Sequence, residues 1–144
     1  MSIFLNKKIL IYGSGKSGLS TLEFLKNKCD VFLYDDFKKN LKRSISYRFI
    51  LKNQFDFIII SPGIDLNKCK LSSYLKKNLE KIYTDLDVFY SFYKNDCISV
   101  TGTNGKSTTC QLLYEILSKH KYDVKLVGNI GRPILSVKNI KSNT

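Results

Sequence analysis

The sequence predicts an α/β fold: a parallel-sheet domain over residues 1–94, followed by the start of a second, phosphate-binding domain over residues 95–144. Three observations carry that expectation. Short runs rich in Ile, Val, Phe and Tyr alternate with stretches whose Leu and Phe recur at helical spacing, the order that builds a parallel sheet covered on both faces. Glycine-rich turns stand at two strand-to-helix junctions, in residues 13–18 and 102–108. After Lys94 and Asn95 the strand–turn–helix pattern starts again.

Taken in order, residues 8–12 (Lys-Ile-Leu-Ile-Tyr) read as a buried strand that runs into the first glycine turn. Leu19, Leu22 and Leu25, with Phe24 beside them, then give the apolar stripe of a helix. Residues 31–34 form a second strand closed by Asp35 and Asp36, and residues 38–52 fit helix or loop equally. The strongest strand spans residues 55–60 and is stopped by Ser61-Pro62-Gly63. A short helix over 71–79, a strand over 81–83 and a helix over 85–93 follow. In the second part, residues 97–100 read as a strand, 108–119 as a helix with Leu112, Leu113, Ile116 and Leu117 on one side, and 123–127 as a further strand. Residues 137–144 are polar and carry no clear element. One β-α-β unit is too small to bury a core alone, so the second domain is expected to be completed from outside these residues.

Composition narrows the class. With 43% hydrophobic and 25% charged residues the chain is globular, not disordered. No apolar run approaches the ~20 residues needed to span a bilayer, and the first residues lack a signal-peptide core and cleavage site, so neither a membrane nor export is expected and the cytoplasm is the default. The net charge of +12 raises nucleic acid as a partner. However, the lysines are scattered (Lys7, Lys26, Lys38, Lys52, Lys76, Lys121), and 21 Lys to 3 Arg with no Ala is the imprint of an AT-rich genome. Nucleic acid is therefore not expected. Cys29, Cys69, Cys97 and Cys110 stand far apart and His120 is the sole histidine, a spacing from which neither a zinc site nor a disulfide framework follows.

The two glycine turns carry chemistry. Gly13-Ser-Gly15-Lys16-Ser17-Gly18 lies between a strand and a helix, with Asp35 and Asp36 at the end of the next strand. Glycines let the backbone turn tightly and approach a pyrophosphate, while the helix N-terminus offers free N–H groups and a positive dipole end to the anion. A strand-end acid can accept hydrogen bonds from a ribose or a base, or simply cap the local backbone. Such a unit is Rossmann-like. The second turn, Gly102-Thr103-Asn104-Gly105-Lys106-Ser107-Thr108, ends as a P-loop ends. Its N–H groups wrap phosphate oxygens, Lys106 neutralises the β/γ-phosphates of ATP and the Ser107 hydroxyl ligates Mg²⁺. It is shorter than the common pattern, with Val100 where the first glycine of a Walker loop would stand. The fold expected is thus a Rossmann-like parallel-sheet domain followed by the start of a P-loop ATPase-type central domain.

Together these residues resemble the Mur ligase family, and their order points to its D-glutamate-adding branch. The resemblance rests on the first glycine loop, the Ser61-Pro-Gly63-Ile64 turn, the acidic helix start Thr84-Asp85-Leu-Asp87, the loop ending Gly105-Lys106-Ser107-Thr108, and Gly128-Asn129-Ile130-Gly131, and it covers residues 7–135. It implies ATP-dependent ligation of D-glutamate to UDP-N-acetylmuramoyl-L-alanine in peptidoglycan precursor synthesis, through phosphorylation of the substrate carboxylate and attack by the amine. It places Lys16 and Ser17 at the UDP-sugar pyrophosphate within the loop marked by Gly13, Gly15 and Gly18. Asp35, Asp36, Ser61 and Gly63 would stand near the uridine, Asn129 at the diphosphate, and Gly102 to Thr108 around ATP, with Lys106 as the catalytic cation and Ser107 on Mg²⁺. Phe37 departs from the pattern, since the family can carry a basic residue there.

The resemblance also implies groups with no counterpart in these 144 residues: an acidic metal ligand, a histidine, a carbamylated lysine and a C-terminal domain. The expectation is that this chain alone does not turn over, and that a continuation or a separate polypeptide completes the enzyme. Two other classes stay open: a non-catalytic binder of nucleotide-sugars that keeps only the first site, and a dinucleotide-binding oxidoreductase suggested by the first glycine loop. The second loop disfavours the oxidoreductase, because nicotinamide chemistry has no use for a P-loop lysine.

Overall fold

The computed structural model describes residues 2–38, 41–128, 132–141 and 144. Four parallel strands, β1 (Lys8–Tyr12), β2 (Asp30–Tyr34), β3 (Phe57–Ile60) and β4 (Ile82–Tyr83), lie in the order β2-β1-β3-β4. β1 pairs in register with β2 from Lys8 opposite Asp30 to Tyr12 opposite Tyr34, and with β3 from Ile9 opposite Phe57 to Tyr12 opposite Ile60. The strand order therefore reverses between β1 and β3, and the crevice beyond their carboxyl ends is where open α/β sheets bind ligands.

The strand sequences are apolar on both sides because both faces are covered. Ile9, Ile11, Val31, Leu33 and Ile59 point to one face and join Phe4, Leu25, Val88 and Phe89 in one core cluster. Leu10, Tyr12, Tyr34, Ile58 and Ile60 point to the other, with Ile50, Phe55, Leu71 and Leu75. This is the period-two alternation of a strand. Helices α1 (Lys16–Leu25) and α4 (Asp85–Phe92) supply the first cluster, α2 (Tyr47–Lys52) and α3 (Ser72–Lys76) the second.

Local sequence sets the helix starts. Ser46 caps α2 by accepting the Phe49 N–H at 3.2 Å. At α4 the Thr84 side chain accepts from the Asp87 N–H, and the Asp87 carboxylate takes the Thr84 N–H at 2.7 Å, a reciprocal capping box. The acidic helix start Thr84-Asp85-Leu-Asp87 thus has a structural cause. The segment left ambiguous, 38–52, resolves in its described part into a turn bridged to Leu33 through Ser44 and then α2.

The second part differs from expectation. α5 (Lys106–Lys119) forms as expected, but residues 97–100 and 123–127 are not strands. A strand exists through its ladder bonds; among the described residues these two segments find none, apart from an isolated bridge of Val127 to Arg132. α5 accordingly buries no residue fully, and Leu112 and Ile116 remain 54% and 53% exposed. Residues 134–136 form a 3₁₀ turn whose Ile134 and Leu135 enter the first core cluster.

Candidate functional site

The first glycine loop stands at the switch point of the sheet. The Gly13 N–H donates to the Tyr34 carbonyl at 2.8 Å, extending the β1–β2 ladder by one bond, and the Ser61 N–H donates to the Tyr12 carbonyl at 2.9 Å on the other side. Each glycine of the motif has a distinct reason. Gly13 sits at φ +102°, and a Cβ there would lie 2.8 Å from Ser61 Cβ. Gly18, in the first turn of α1, presses on the loop so closely that a Cβ would fall 1.9 Å from the Gly13 carbonyl oxygen. Gly15 faces open space, with nothing within 4 Å of a would-be Cβ. Turn, helix packing and close approach of an anion are the three roles that a pyrophosphate loop asks of its glycines.

α1 begins with its first N–H groups pointing out. The first main-chain bond into the helix start is Leu19 N–H to Gly15 O at 3.0 Å, and Gly15 offers no side-chain cap. The N–H groups of the first turn, with the exposed Lys16 and half-buried Ser17, make a site for an anion. Ser61 Oγ donates to the Gly13 carbonyl at 3.2 Å and so braces the loop, while Gly63 is exposed beside it.

The two strand-end acids hold protein groups. Asp35 Oδ2 accepts from the Ser14 N–H at 2.8 Å and the Ser14 hydroxyl at 2.6 Å, and Oδ1 accepts from the N–H groups of Phe37 and Lys38 at 2.9 and 3.1 Å. Burial by itself would raise the Asp35 carboxyl, but these donors outweigh it and hold it at about 2. Asp36 Oδ2 accepts from the Tyr12 hydroxyl at 2.8 Å and the Lys70 N–H at 3.2 Å. Its Oδ1 is buried and lacks a partner among the described residues. Burial and then Asp36 push the Tyr12 hydroxyl well above the usual phenol range, and the same two causes raise Tyr34 to about 12. The Tyr12 hydroxyl therefore stays protonated as a donor to Asp36, and Tyr34 stands as a neutral wall of the site.

Beyond these acids a cleft of about 670 Å³ opens, walled by Tyr34, Asp35, Asp36, Ser44, Ile45, Ser46, Tyr47, Arg48 and Lys70. Arg48, Tyr47 and Ser44 carried no signal in the sequence, because the 38–52 segment fits no motif, and Lys70 lies in a turn ahead of α3 that matches none either. The only hint was Ser46 ahead of Tyr47 as a helix cap. The exposed cations Arg48 and Lys70 give this cleft a positive rim.

The second loop is built differently. Gly102 adopts φ +149° and Gly105 φ +75°, conformations open to glycine. Lys106 donates through Nζ to the carbonyls of Gly102 and, at 3.2 Å, Thr103, so the loop curls around its own ammonium. The main-chain bond Thr109 N–H to Gly105 O at 3.0 Å starts α5. Thr103, Asn104, Ser107 and Thr108 are exposed around it. A glycine turn that opens a helix, with a lysine and an exposed first-turn hydroxyl beside it, has the donors that a nucleotide phosphate needs once the ammonium leaves those carbonyls. The Ser107 hydroxyl could hold Mg²⁺, which takes one or two protein oxygens and completes its shell with phosphate and water. Among the described residues no group of three His, Cys, Asp or Glu gathers as a metal site, and no helix is long and apolar enough to cross a membrane. Asn129 lies outside the described residues.

Comparison with known proteins gives the family that the chain resembles. Residues 100–144 match the Mur ligase middle domain. Over 98% of its length the chain is 39% identical to the UDP-N-acetylmuramoylalanine--D-glutamate ligase of Rickettsia felis, of which it covers 33%. It is 37% identical over 96% of its length to the enzyme of the same name in Rickettsia prowazekii, covering 33% of it, and 39% identical over 90% to that of Francisella tularensis subsp. tularensis, covering 30%. The resemblance to Mur ligases carried by the motifs is confirmed. The chain spans about a third of the length of the curated relatives it matches.

Proposed function

We propose that these residues are the nucleotide-handling part of an ATP-dependent ligase that joins D-glutamate to UDP-N-acetylmuramoyl-L-alanine in peptidoglycan precursor synthesis. The observation that carries this reading is the pairing of two phosphate loops of different build in one chain. One stands at the sheet's switch point beside a nucleotide-sized cleft, and the other curls around a lysine. The first loop and the N-terminus of α1 bind the UDP-sugar pyrophosphate through Gly15, Lys16 and Ser17. Asp35, Asp36, Ser61 and Gly63 shape the uridine end and Asn129 reaches the diphosphate. The second loop binds ATP through Gly102, Thr103, Asn104, Gly105, Lys106, Ser107 and Thr108.

In that reaction the chain's own groups position and neutralise. Backbone N–H groups of the second loop fix the phosphates, and the Lys106 ammonium leaves the carbonyls of Gly102 and Thr103 to balance the charge that builds on the transferred phosphoryl group. Ser107 would hold Mg²⁺, which would supply charge neutralisation to the nucleotide phosphates. The reading places the protein in the cytoplasm, where nucleotide-sugars and ATP are found. A separate polypeptide that completes the ligase belongs to the same proposal.

The test is calorimetric titration of the chain with UDP-N-acetylmuramoyl-L-alanine, ATP with Mg²⁺, and NADH. Binding of the first two without NADH supports the ligase reading. NADH binding without the UDP-sugar would replace it with the oxidoreductase reading. UDP-sugar binding with no response to ATP would leave a non-catalytic nucleotide-sugar binder.

A further inference from the structure

The first core cluster contains two residues from far outside the sheet. Ile134 and Leu135 are 6% and 5% exposed and sit with Leu25 of α1 and Val88 and Phe89 of α4, though they lie more than forty residues after α4 ends. Their turn is self-contained. The Ser136 N–H and hydroxyl both donate to the Pro133 carbonyl, at 2.9 and 2.7 Å. Upstream it is tied down where the Gly128 N–H donates to the Arg132 carbonyl at 3.0 Å and Val127 bridges Arg132. Val127 and Ile140 pack against the same cluster from either side of the turn. In contrast, α5, which lies between this turn and the sheet in sequence, buries no residue fully.

We infer that residues 132–136 form a hook that pins α1, making Ile134 and Leu135 positioning residues for the nucleotide-sugar site at the start of that helix. The inference rests on the proposed role of the first loop. Its physical basis is that one face of α1 is held at two points, by the loop at the start of the helix and by the cluster that the hook joins at its end. At one end α1 is pressed onto the Gly13 carbonyl through Gly18, with no room for even a methyl group. On the same face Leu25 is held in the cluster that the hook closes. Close-packed interiors transmit strain, and the space left by a removed neighbour is only partly refilled, so a helix that loses one of its two supports shifts against the other. The N–H groups of Lys16, Ser17 and Gly18 ride on that body, so their aim at a pyrophosphate depends on the hook. A site built from residues of the first part thus needs residues downstream of the second loop to hold its shape.

The experiment uses the full chain with Ile134→Ala and Leu135→Ala combined, a conservative Ile134→Val, and Phe55→Leu as a control. Phe55 lies in the opposite core cluster, just ahead of β3, and so lowers stability without touching the hook. Amide exchange and UDP-N-acetylmuramoyl-L-alanine titration are read on each, at a temperature where circular dichroism shows every variant folded. The double variant is expected to exchange the amides of α1 and α4 at least tenfold faster and to bind the UDP-sugar at least fivefold more weakly. Ile134→Val should restore both to near wild type, and Phe55→Leu should leave affinity unchanged. Unchanged exchange in α1 overturns the hook. Faster exchange with unchanged affinity, or an equal loss of affinity in Phe55→Leu, overturns the positioning role. If the wild-type chain itself ignores the UDP-sugar, the proposed function fails and the positioning role with it, while the exchange arm still decides whether the hook exists.

Discussion

Gly18→Ala separates a glycine kept for packing from one kept for a ligand. The added Cβ would stand 1.9 Å from the Gly13 carbonyl oxygen, where ordinary contact begins at 3.4 Å, and 3.0 Å from Ser61 Oγ. The carbonyl cannot retreat easily. Its own residue is fixed by the Gly13 N–H to Tyr34 bond at 2.8 Å, and it accepts from Ser61 at 3.2 Å. The helix must therefore lift off the loop. Overpacking a fixed backbone sits at the upper end of the range for such insertions, about 3 kcal/mol. Alanine's better helix propensity returns about 1 kcal/mol, leaving a net loss of about 2 kcal/mol and a melting point lower by roughly 10 °C. Gly15→Ala is the matched contrast. Its φ is −70° and its Cβ meets nothing within 4 Å, so stability should change by less than about 1 kcal/mol, while UDP-sugar affinity falls because a methyl group stands where the pyrophosphate approaches. Thermal unfolding followed by circular dichroism, and titration with the UDP-sugar, read both. A Gly18→Ala melting point within roughly 2 °C of wild type, or a Gly15→Ala protein that is the less stable of the two, would refute the assignment of roles.

Asp35 predicts an acid-side loss of stability. Its folded value of about 2 lies below its ordinary 3.8, so its contribution is complete above about pH 4, fades as pH falls through 2, and should be absent from the acid-unfolding curve of Asp35→Asn. Lys106→Ala should weaken binding of ATP with Mg²⁺ by tenfold or more, since a charge-assisted bond contributes about 1.5–3 kcal/mol. It should leave UDP-sugar affinity unchanged, and equal losses for both ligands in parallel titrations would contradict the assignment of one phosphate loop to each.

How much was legible in the sequence follows from how local each signal is. All four strands of the sheet, α1 and α4 showed in periodicity and turn residues, because each buries a face that the pattern itself reveals. Residues 97–100 and 123–127 carry the same apolar signal, yet they are not strands, because pairing is a property of neighbours and not of a segment. The hook was invisible for the related reason that Ile134 and Leu135 belong to a core assembled by residues far upstream. The wall of the cleft around Arg48 and Tyr47 lay in the one stretch whose pattern fitted helix and loop alike.

The strand-end acids show where motif reading and geometry part. An acid after the second strand invites a ribose or a base, and the structure gives each acid protein donors first. Both Asp35 oxygens carry two donors, three of those four bonds coming from backbone N–H groups. Asp36 Oδ2 carries the Tyr12 hydroxyl and the Lys70 N–H, and its Oδ1 is buried. Asp35 therefore fixes Ser14, which is 2% exposed in the middle of the first loop, and through it the spacing between the turn at Gly13 and the approach at Gly15. A ligand contact at the cleft's rim falls more naturally to Arg48, which is exposed there and donates to no group among the described residues, than to Lys70, whose ammonium already donates to the Asp36 carbonyl at 3.1 Å. On the proposed function, losing Asp35 would act on the nucleotide through the shape of the loop, and losing Arg48 would act on it directly. The first reaches every ligand that uses the loop, whereas the second discriminates among what lies in the cleft.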